Sequence, residues 1–371
     1  MSVTSLDKQV ATPNWGICYD HFEHAIEISL KDFYKDFACS ELAKWFYLDV
    51  DGESFLALVS CNYALSPNSL KKSFNAKKVV INQVSHDPIF TGANTDKVIL
   101  DHNLMLGSKK IVFKSSNSNL YYKINRKELT EKIGAKVFDL GTYPIYKAKV
   151  SFVSPVAMRE DYINLKYPFF GISMENTNFV RPKLLASLEW ICNRYKKCAV
   201  LIGDSIHRIT IQHNEEKDET YAQEKAILLG KKFLQDELHV FEKFNDRCEF
   251  NFIFCSEIQE SIQYNLYHKF LKNLFISDNS FRNSIESFAK DYHEKRKYQI
   301  TPEKWFNLIE SSCEYFLEEF AIFACLKNLG MDGMIYPGSF STLSEIAAGE
   351  HPNALQELKE LVVVSLHIKK R

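Results

Sequence analysis

The chain has 371 residues, of which 46% are hydrophobic and 25% charged, and its formal net charge is −1. That balance fits a globular protein with material for two or three domains, and it excludes a disordered or fibrous chain. Residues 1–145 carry +1 and the remainder −2, so neither part is a basic domain and any nucleic-acid contact needs a local patch.

No run of about 18 apolar residues occurs, so no membrane-spanning helix is expected. The opening "MSVTSLDKQVATPNW" lacks the apolar stretch of a signal peptide. The nine cysteines include no CxxC pair, and several sit in apolar runs, such as Cys255 in "FNFIFCSE". They read as reduced thiols of a cytoplasmic protein, not as a disulfide framework. The scattered histidines contain no HExxH, which argues against a metal site.

Residues 1–145 mix two periodicities. "FEHAIEISLKDFYKDF" has helical spacing at Ile26, Ile28, Leu30, Phe33 and Phe37, while "ESFLALVSCNY", "KKVVINQVS", "KVILDHNLML" and "KKIVFKSS" read as strands. "PNS", "GAN" and "SSNSN" read as turns. The expectation is an N-terminal α+β domain of unknown role.

From residue 146 strands alternate with helices. "YKAKVSFVSP", "KYPFFGIS", "CAVLIGDS" and "CEFNFIFCSE" are strand-like. "VRPKLLASLEWICNRYKK", with Leu184, Leu188 and Ile191 on one stripe, reads as a helix, as do "ETYAQEKAILLGKKFLQDELHVFEKF" and "IQYNLYHKFLKNLF". This order predicts an α/β, Rossmann-like domain over residues 146–371, with a mostly parallel sheet covered by helices on both faces. Ligands of such sheets bind beyond the carboxyl ends of strands. Gly171-Ile172-Ser173 and Gly203-Asp204-Ser205 are the two strand ends that bring a serine there.

"TPEKWFNLIESSCEYFLEEFAIFACLKNLG" is the strongest helix signal. Thr301 suits the N-cap, Pro302 the first turn and Gly330 a left-handed stop. Ile309, Cys313, Phe316, Phe320 and Ala324 form one apolar stripe, and beyond Glu319 the sequence is apolar all round. Tyr315 and Glu319 share a face. Glu319 either enters the core as a pKa-shifted base or, beside Glu318, marks the edge of the solvated face. "MIYPG" then ends a short strand at Tyr336-Pro337.

In chain order these pieces are G-I-S at a strand end with Asn176 three residues on, an apolar strand ending in Asp204, Tyr315-x-x-x-Glu319, and Tyr336-Pro337. The set resembles the tRNA-dependent cyclodipeptide synthases over about residues 146–350, with residues 1–145 as an N-terminal extension. The resemblance implies a fold similar to the catalytic domain of class I tyrosyl- and tryptophanyl-tRNA synthetases, without their ATP signatures. Tyr336-Pro337 matches the Tyr-Pro branch of the family, whereas asparagine at the place of Asn176 typifies the other branch.

What the resemblance implies is an aminoacyltransferase that makes a cyclic dipeptide, a 2,5-diketopiperazine, from two aminoacyl-tRNAs, with no cofactor and no metal. Ser173 would be the nucleophile that holds the first aminoacyl group. Tyr315 and Glu319 would hold its amino group, and Glu319 would be the base for an amine that the second aminoacyl-tRNA supplies. Tyr336 would relay protons during ring closure, and Asn176 would orient the Ser173 loop or face the oxyanion. Gly171 and Pro337 would border the substrate. Lys225, Lys231 and Lys232 would meet tRNA phosphates on a helix similar to the family's basic one. Lys290, Lys295, Arg296, Lys297 and the tail Lys369-Lys370-Arg371 are further cations. Two other readings stand beside this one. "LIGDSIHR" also resembles the GDS block of the SGNH hydrolases, with Ser205 as nucleophile and Asp204 and His207 the only Asp-x-x-His. The alternative to catalysis is a tRNA-binding module.

Overall fold

The computed structural model describes residues 25–27, 40–83, 97–107, 109–114, 120–215, 217–294, 301–339 and 341–371. The chain divides into two compact units, residues 1–143 and 144–371.

In the first unit a mixed sheet runs in the order Ala25–Glu27, Leu120–Asn125, Lys110–Lys114, Ser40–Val50, Glu53–Ser60, Val98–Asp101, Lys136–Phe138, and Val79–Gln83 pairs with Ser40–Val50. Its core gathers Trp45, Leu56, Leu58, Leu100, Leu104 and Phe113. Three local expectations change here. Ile26 lies in a strand, not a helix, and most of the expected helix falls outside the described residues. "KVILDHNLML" is a strand only to Asp101, whose side chain accepts from Asn103 N and starts the helical turn His102–Met105. "PNS" opens a helix, Pro67–Phe74, because proline is tolerated in a first turn that needs no N–H bond. The turns expected at "GAN" and "SSNSN" lie outside the described residues.

The second unit is a Rossmann-like α/β fold. Its strands are β1 (Tyr146–Ser154), β2 (Pro168–Ser173), β3 (Lys197–Gly203), β4 (Glu249–Phe254), β5 (Gly333–Tyr336) and β6 (Val362–Lys370). They lie in the order β1-β6-β5-β2-β3-β4, all parallel except β1, which runs antiparallel to β6 at one edge. The helices used below are α1 (Arg181–Cys192), α2 (Arg208–Glu215), α3 (Glu219–Glu242), α4 (Cys255–Gln259), α5 (Ile262–Ser277), α6 (Asn279–Glu294) and α7 (Pro302–Asn328).

The chain steps outward from β2 to β3 and β4, then returns to the other side of β2 with β5 and β6. The order in which strands are added therefore reverses between β2 and β5, and the crevice at such a switch is where open α/β sheets bind ligands. Before the crevice, Asp332 fixes the start of both strands: its carboxylate accepts from Lys166 N at 2.7 Å and Tyr167 N at 3.1 Å.

α7 follows its sequence closely. Thr301 accepts from Lys304 N at the N-cap, and Gly330 takes φ +91°, a left-handed conformation that glycine adopts without a Cβ clash. Every residue from Phe316 to Leu326 is buried, and Phe320 and Phe323 pack with Phe169 and Met334 of the sheet. α6 and β6 were not expected. β6 supplies Val362, Val363 and Val364 to the interior of the sheet, whereas the sequence reading treated only its basic end.

Candidate active site

β2 and β5 pair in parallel up to Phe170 and Ile335, so both strands end on the same edge of the sheet. Ser173 is the last residue of β2 and Tyr336 the last of β5. Their hydroxyls meet: Ser173 Oγ lies 2.9 Å from Tyr336 Oη. Asn176 Nδ2 donates to the same Tyr336 Oη at 3.2 Å, and Asn176 Oδ1 accepts from Asn178 N at 2.9 Å. Asn176 is thus both the cap of the turn after Ser173 and a partner of the tyrosine. Phe179 meets the Tyr336 ring at a 59° tilt and Phe170 edge-on, and so packs beside the tyrosine.

Tyr315 and Glu319 of α7 line the same pocket, together with Gly171, Ser173, Ile206, Cys255, Phe323, Met334 and Tyr336. The space these side chains leave is about 10 Å³, roughly what one water needs. Glu319 does not mark a solvated edge. It is 6% exposed, its Oε2 has no hydrogen-bond partner, and burial among apolar neighbours pushes its pKa up to about 8. A carboxyl in that state is protonated at neutral pH yet close to titrating, which suits proton exchange with an amine.

Glu318, its neighbour, is also buried but fully engaged. Arg208 grips both of its oxygens, at 2.8 and 2.5 Å, and Gln259 Nε2 donates at 2.9 Å. His268, Glu314 and Glu318 come near one another, but Lys272 and Arg208 already supply the cations that these carboxylates face.

The other strand-end serine is placed differently. Ser205 is buried and donates to Gln259 Oε1. Asp204 accepts from Ser256 N at 3.0 Å and Ser256 Oγ at 2.6 Å, so it fastens the start of α4 to the end of β3. His207 Nε2 lies 3.2 Å from Glu175 Oε2. The hydrolase reading therefore fails on geometry, since Asp204 and His207 are each engaged elsewhere and neither serves Ser205. Gly230 of α3 explains how tightly this region closes. A Cβ there would sit 2.5 Å from Asp204 Cβ, so only glycine lets the helix approach.

Of the two residues expected to border substrate, Gly171 lines the pocket and lies under the Tyr336 ring. Pro337 does not line it, and its carbonyl instead accepts from Asn178 Nδ2 at 2.8 Å. The helix expected to be basic is not. Lys225 pairs with Glu215 and Lys232 with Asp236, and α3 carries more acids than lysines. Lys231 is exposed. Lys290 pairs with Glu286, and Lys295, Arg296 and Lys297 lie outside the described residues. Sequence reasoning missed Arg208, Gln259 and Glu175. Arg208 was visible only as part of "DSIHR", with no local signal of a partner 110 residues away.

The reversal point of the parallel sheet thus gathers a serine, two tyrosines and a desolvated carboxyl. Comparison of structures narrows the fold to that of the cyclodipeptide synthases. The synthase from Fluoribacter dumoffii is 20% identical, with 61% of this chain and 100% of that chain covered and a TM-score of 0.51. A Mycobacterium tuberculosis protein, whose structure relates cyclodipeptide synthetases to type I tRNA synthetases, is 12% identical over 61% of this chain and 94% of that one, with a TM-score of 0.48. The synthase from Candidatus Glomeribacter gigasporarum, solved bound to Phe-tRNA, is 19% identical over 59% and 94% of the two chains, with a TM-score of 0.42. No protein-family model matches the chain, and no curated protein matches it. Among the described residues no helix is long and apolar enough to cross a membrane.

Proposed function

We propose that this chain is a cyclodipeptide synthase that joins two aminoacyl groups from aminoacyl-tRNAs into a 2,5-diketopiperazine, in the cytoplasm and without ATP. The observation that carries the reading is the meeting of Ser173, Tyr336 and Asn176 at the reversal of the sheet, beside the unpartnered carboxyl of Glu319. The fold it shares with the Fluoribacter synthase supports it. Residues 144–371 form the synthase domain and residues 1–143 an N-terminal extension.

In this mechanism Ser173 Oγ attacks the ester carbonyl of the first aminoacyl-tRNA. The Cα-carbonyl to Oγ bond forms, the bond to the ribose oxygen breaks, and Tyr336 takes the serine proton while passing its own to that oxygen. An aminoacyl ester is already activated, so no nucleotide is consumed. Tyr315 and Glu319 hold the amino group at the pocket wall. As an ammonium cannot attack, the ionised form of Glu319, which a carboxyl near pKa 8 populates in part at neutral pH, takes its proton. The amine of the second aminoacyl-tRNA then attacks the seryl ester carbonyl: the peptide bond forms, the bond to Ser173 Oγ breaks, and Oγ regains a proton through Tyr336. The first residue's amine closes the ring on the remaining ribose ester, helped by proximity, and the second tRNA leaves as its ribose oxygen takes the proton. Tyr336-Pro337 supports the Tyr-Pro branch although Asn176 is typical of the other, and the bond from Asn176 to Tyr336 supports a role in orienting the tyrosine.

The test is incubation of the purified chain with a pool of charged tRNAs and mass spectrometry of the products. A cyclic dipeptide from the wild type, and none from Ser173→Ala, is the expected result. Absence of any cyclic dipeptide with every charged tRNA would overturn the reading.

A further inference from the structure

The mechanism above uses one side of the loop that follows Ser173. On that side Asn176 donates to Tyr336 and Asn178 to the Pro337 carbonyl, which ties the loop to the end of β5. The other side faces the end of β3, and there the loop presents Glu175.

Glu175 has φ +57°, in the left-handed region that residues with a Cβ avoid. Such a conformation persists where the surroundings hold it. It stands between the nucleophile and Asn176, so its backbone sets the direction in which the chain leaves Ser173. Its carboxylate is largely exposed, yet its Oε2 lies 3.2 Å from Nε2 of His207, which is 6% exposed. His207 ends the turn that follows β3 and is fixed there by its own N–H, bonded to the Asp204 carbonyl, while Asp204 is itself locked to Ser256. β2 and β3 are neighbours, paired up to Ser173 and Gly203. The imidazole therefore stands on a rigid post beside the nucleophile loop, with an N–H directed at the residue that makes the loop's left-handed step. That orientation follows from the hydrogen bond, which selects the tautomer protonated on Nε2. Burial disfavours a charged imidazole and the Glu175 carboxylate favours one.

We infer that His207 is a positioning residue for Ser173, acting through Glu175: the imidazole clamps the left-handed step of the nucleophile loop against the end of β3. The clamp completes a three-point brace, in which the ends of β3, β2 and β5 are joined in line by His207–Glu175 and Asn176–Tyr336. It rests on the proposed function for its catalytic consequence, and not for the mechanical one.

The experiment compares wild type, His207→Ala, His207→Gln, Glu175→Ala and the His207→Ala/Glu175→Ala double variant in two readouts. The first is hydrogen exchange of the peptide covering residues 173–179 in the chain without tRNA, with thermal unfolding recorded alongside. The second is the single-turnover rate of Ser173 acylation by aminoacyl-tRNA. His207→Ala is expected to speed exchange of this peptide while the unfolding temperature holds. The acylation rate should fall about tenfold, a modest share of what misplacing a reacting group costs, with KM for tRNA unchanged. His207→Gln, which keeps an N–H donor, should restore most of the rate, and the double variant should lose no more than the worse single one. Unchanged exchange in His207→Ala would overturn the inference, as would additive losses in the double variant. Loss of rate only in step with loss of folded protein would overturn it too. If the wild type itself forms no acyl-enzyme, the proposed function fails, and the exchange readout still decides the clamp.

Discussion

Glu318 and Glu319 are adjacent on one buried helix and end in opposite electrostatic states. Arg208 and Gln259 surround the first, whereas Oε2 of the second has no partner. The difference arises from where a helix points consecutive side chains, about 100° apart. Glu318 faces the turn after β3, and Glu319 faces the pocket.

The pH dependence of stability follows from Glu319. Its folded pKa is raised from 4.5 to about 8, so the stability it allows is complete below about pH 4.5 and is lost as pH rises toward 8. Each pH unit in that window is worth about 1.4 kcal/mol. Glu319→Gln removes the penalty. Calorimetry at pH 5 and pH 8.5 should therefore show the variant gaining several degrees on the wild type at the higher pH and little at the lower.

Breaking the neighbouring pair acts differently. Glu318→Ala leaves the half-buried Arg208 guanidinium with only the exposed Glu219 carboxylate at 3.5 Å, so it should cost somewhat less than the roughly 3–5 kcal/mol of breaking a fully buried pair. The loss should appear in chemical denaturation at every pH from 5 to 8, which distinguishes it from the Glu319 variant.

Tyr336→Phe keeps the ring that packs on Phe179 and removes the hydroxyl shared by Ser173 and Asn176. The folded state should survive with an unfolding temperature close to wild type. Turnover to cyclic dipeptide should fall roughly 100-fold or more, as for removal of a positioned proton-transfer group, and the loss should appear in kcat. A variant with near-normal turnover would remove Tyr336 from the chemistry.

The lysines of α3 should not contribute equally to tRNA binding. Lys231 is exposed, whereas Asp236 neutralises Lys232 and Glu215 neutralises Lys225. Lys231→Ala should weaken binding across tRNAs and reduce the salt slope by about one, the signature of a phosphate contact. Lys232→Ala should change both less. Filter binding over a salt series checks the order.

Much of the second unit was legible because its signals are local. Thr301, Pro302 and Gly330 bracket α7 in the sequence, and the continuous apolar strands announce a sheet covered on both faces. Ser173 and Tyr336 could be singled out since each stands where an apolar run stops. Glu319 could not be decided. A carboxylate beside another carboxylate looks like a solvated face until Arg208, far away in sequence, is seen to claim Glu318 alone. α3 carries more acids than lysines already in its sequence, and ion pairs engage two of its three lysines.

Other elements hid behind composition. β6 ends in basic residues, and its role as an inner strand depends on β1 and β5 flanking it. α6 is charged enough to read as surface, yet Phe281, Ile285 and Ala289 are fully buried at helical spacing. In the first unit, Ser40–Val50 interleaves Glu41, Lys44 and Asp49 with aromatic residues. Its pairing with Glu53–Ser60, Val79–Gln83 and Lys110–Lys114 shows it as a strand. The GDS block was the opposite case, a strong local pattern whose residues the fold spends on structure.

The most direct test of the account is intact-protein mass spectrometry after rapid mixing of the chain with aminoacyl-tRNA and an acid quench. The account predicts a mass increase of one aminoacyl residue that maps to Ser173, persists in Ser205→Ala and disappears in Ser173→Ala. Cyclic dipeptide formation by Ser173→Ala, or an aminoacyl group mapped to Ser205, would contradict it.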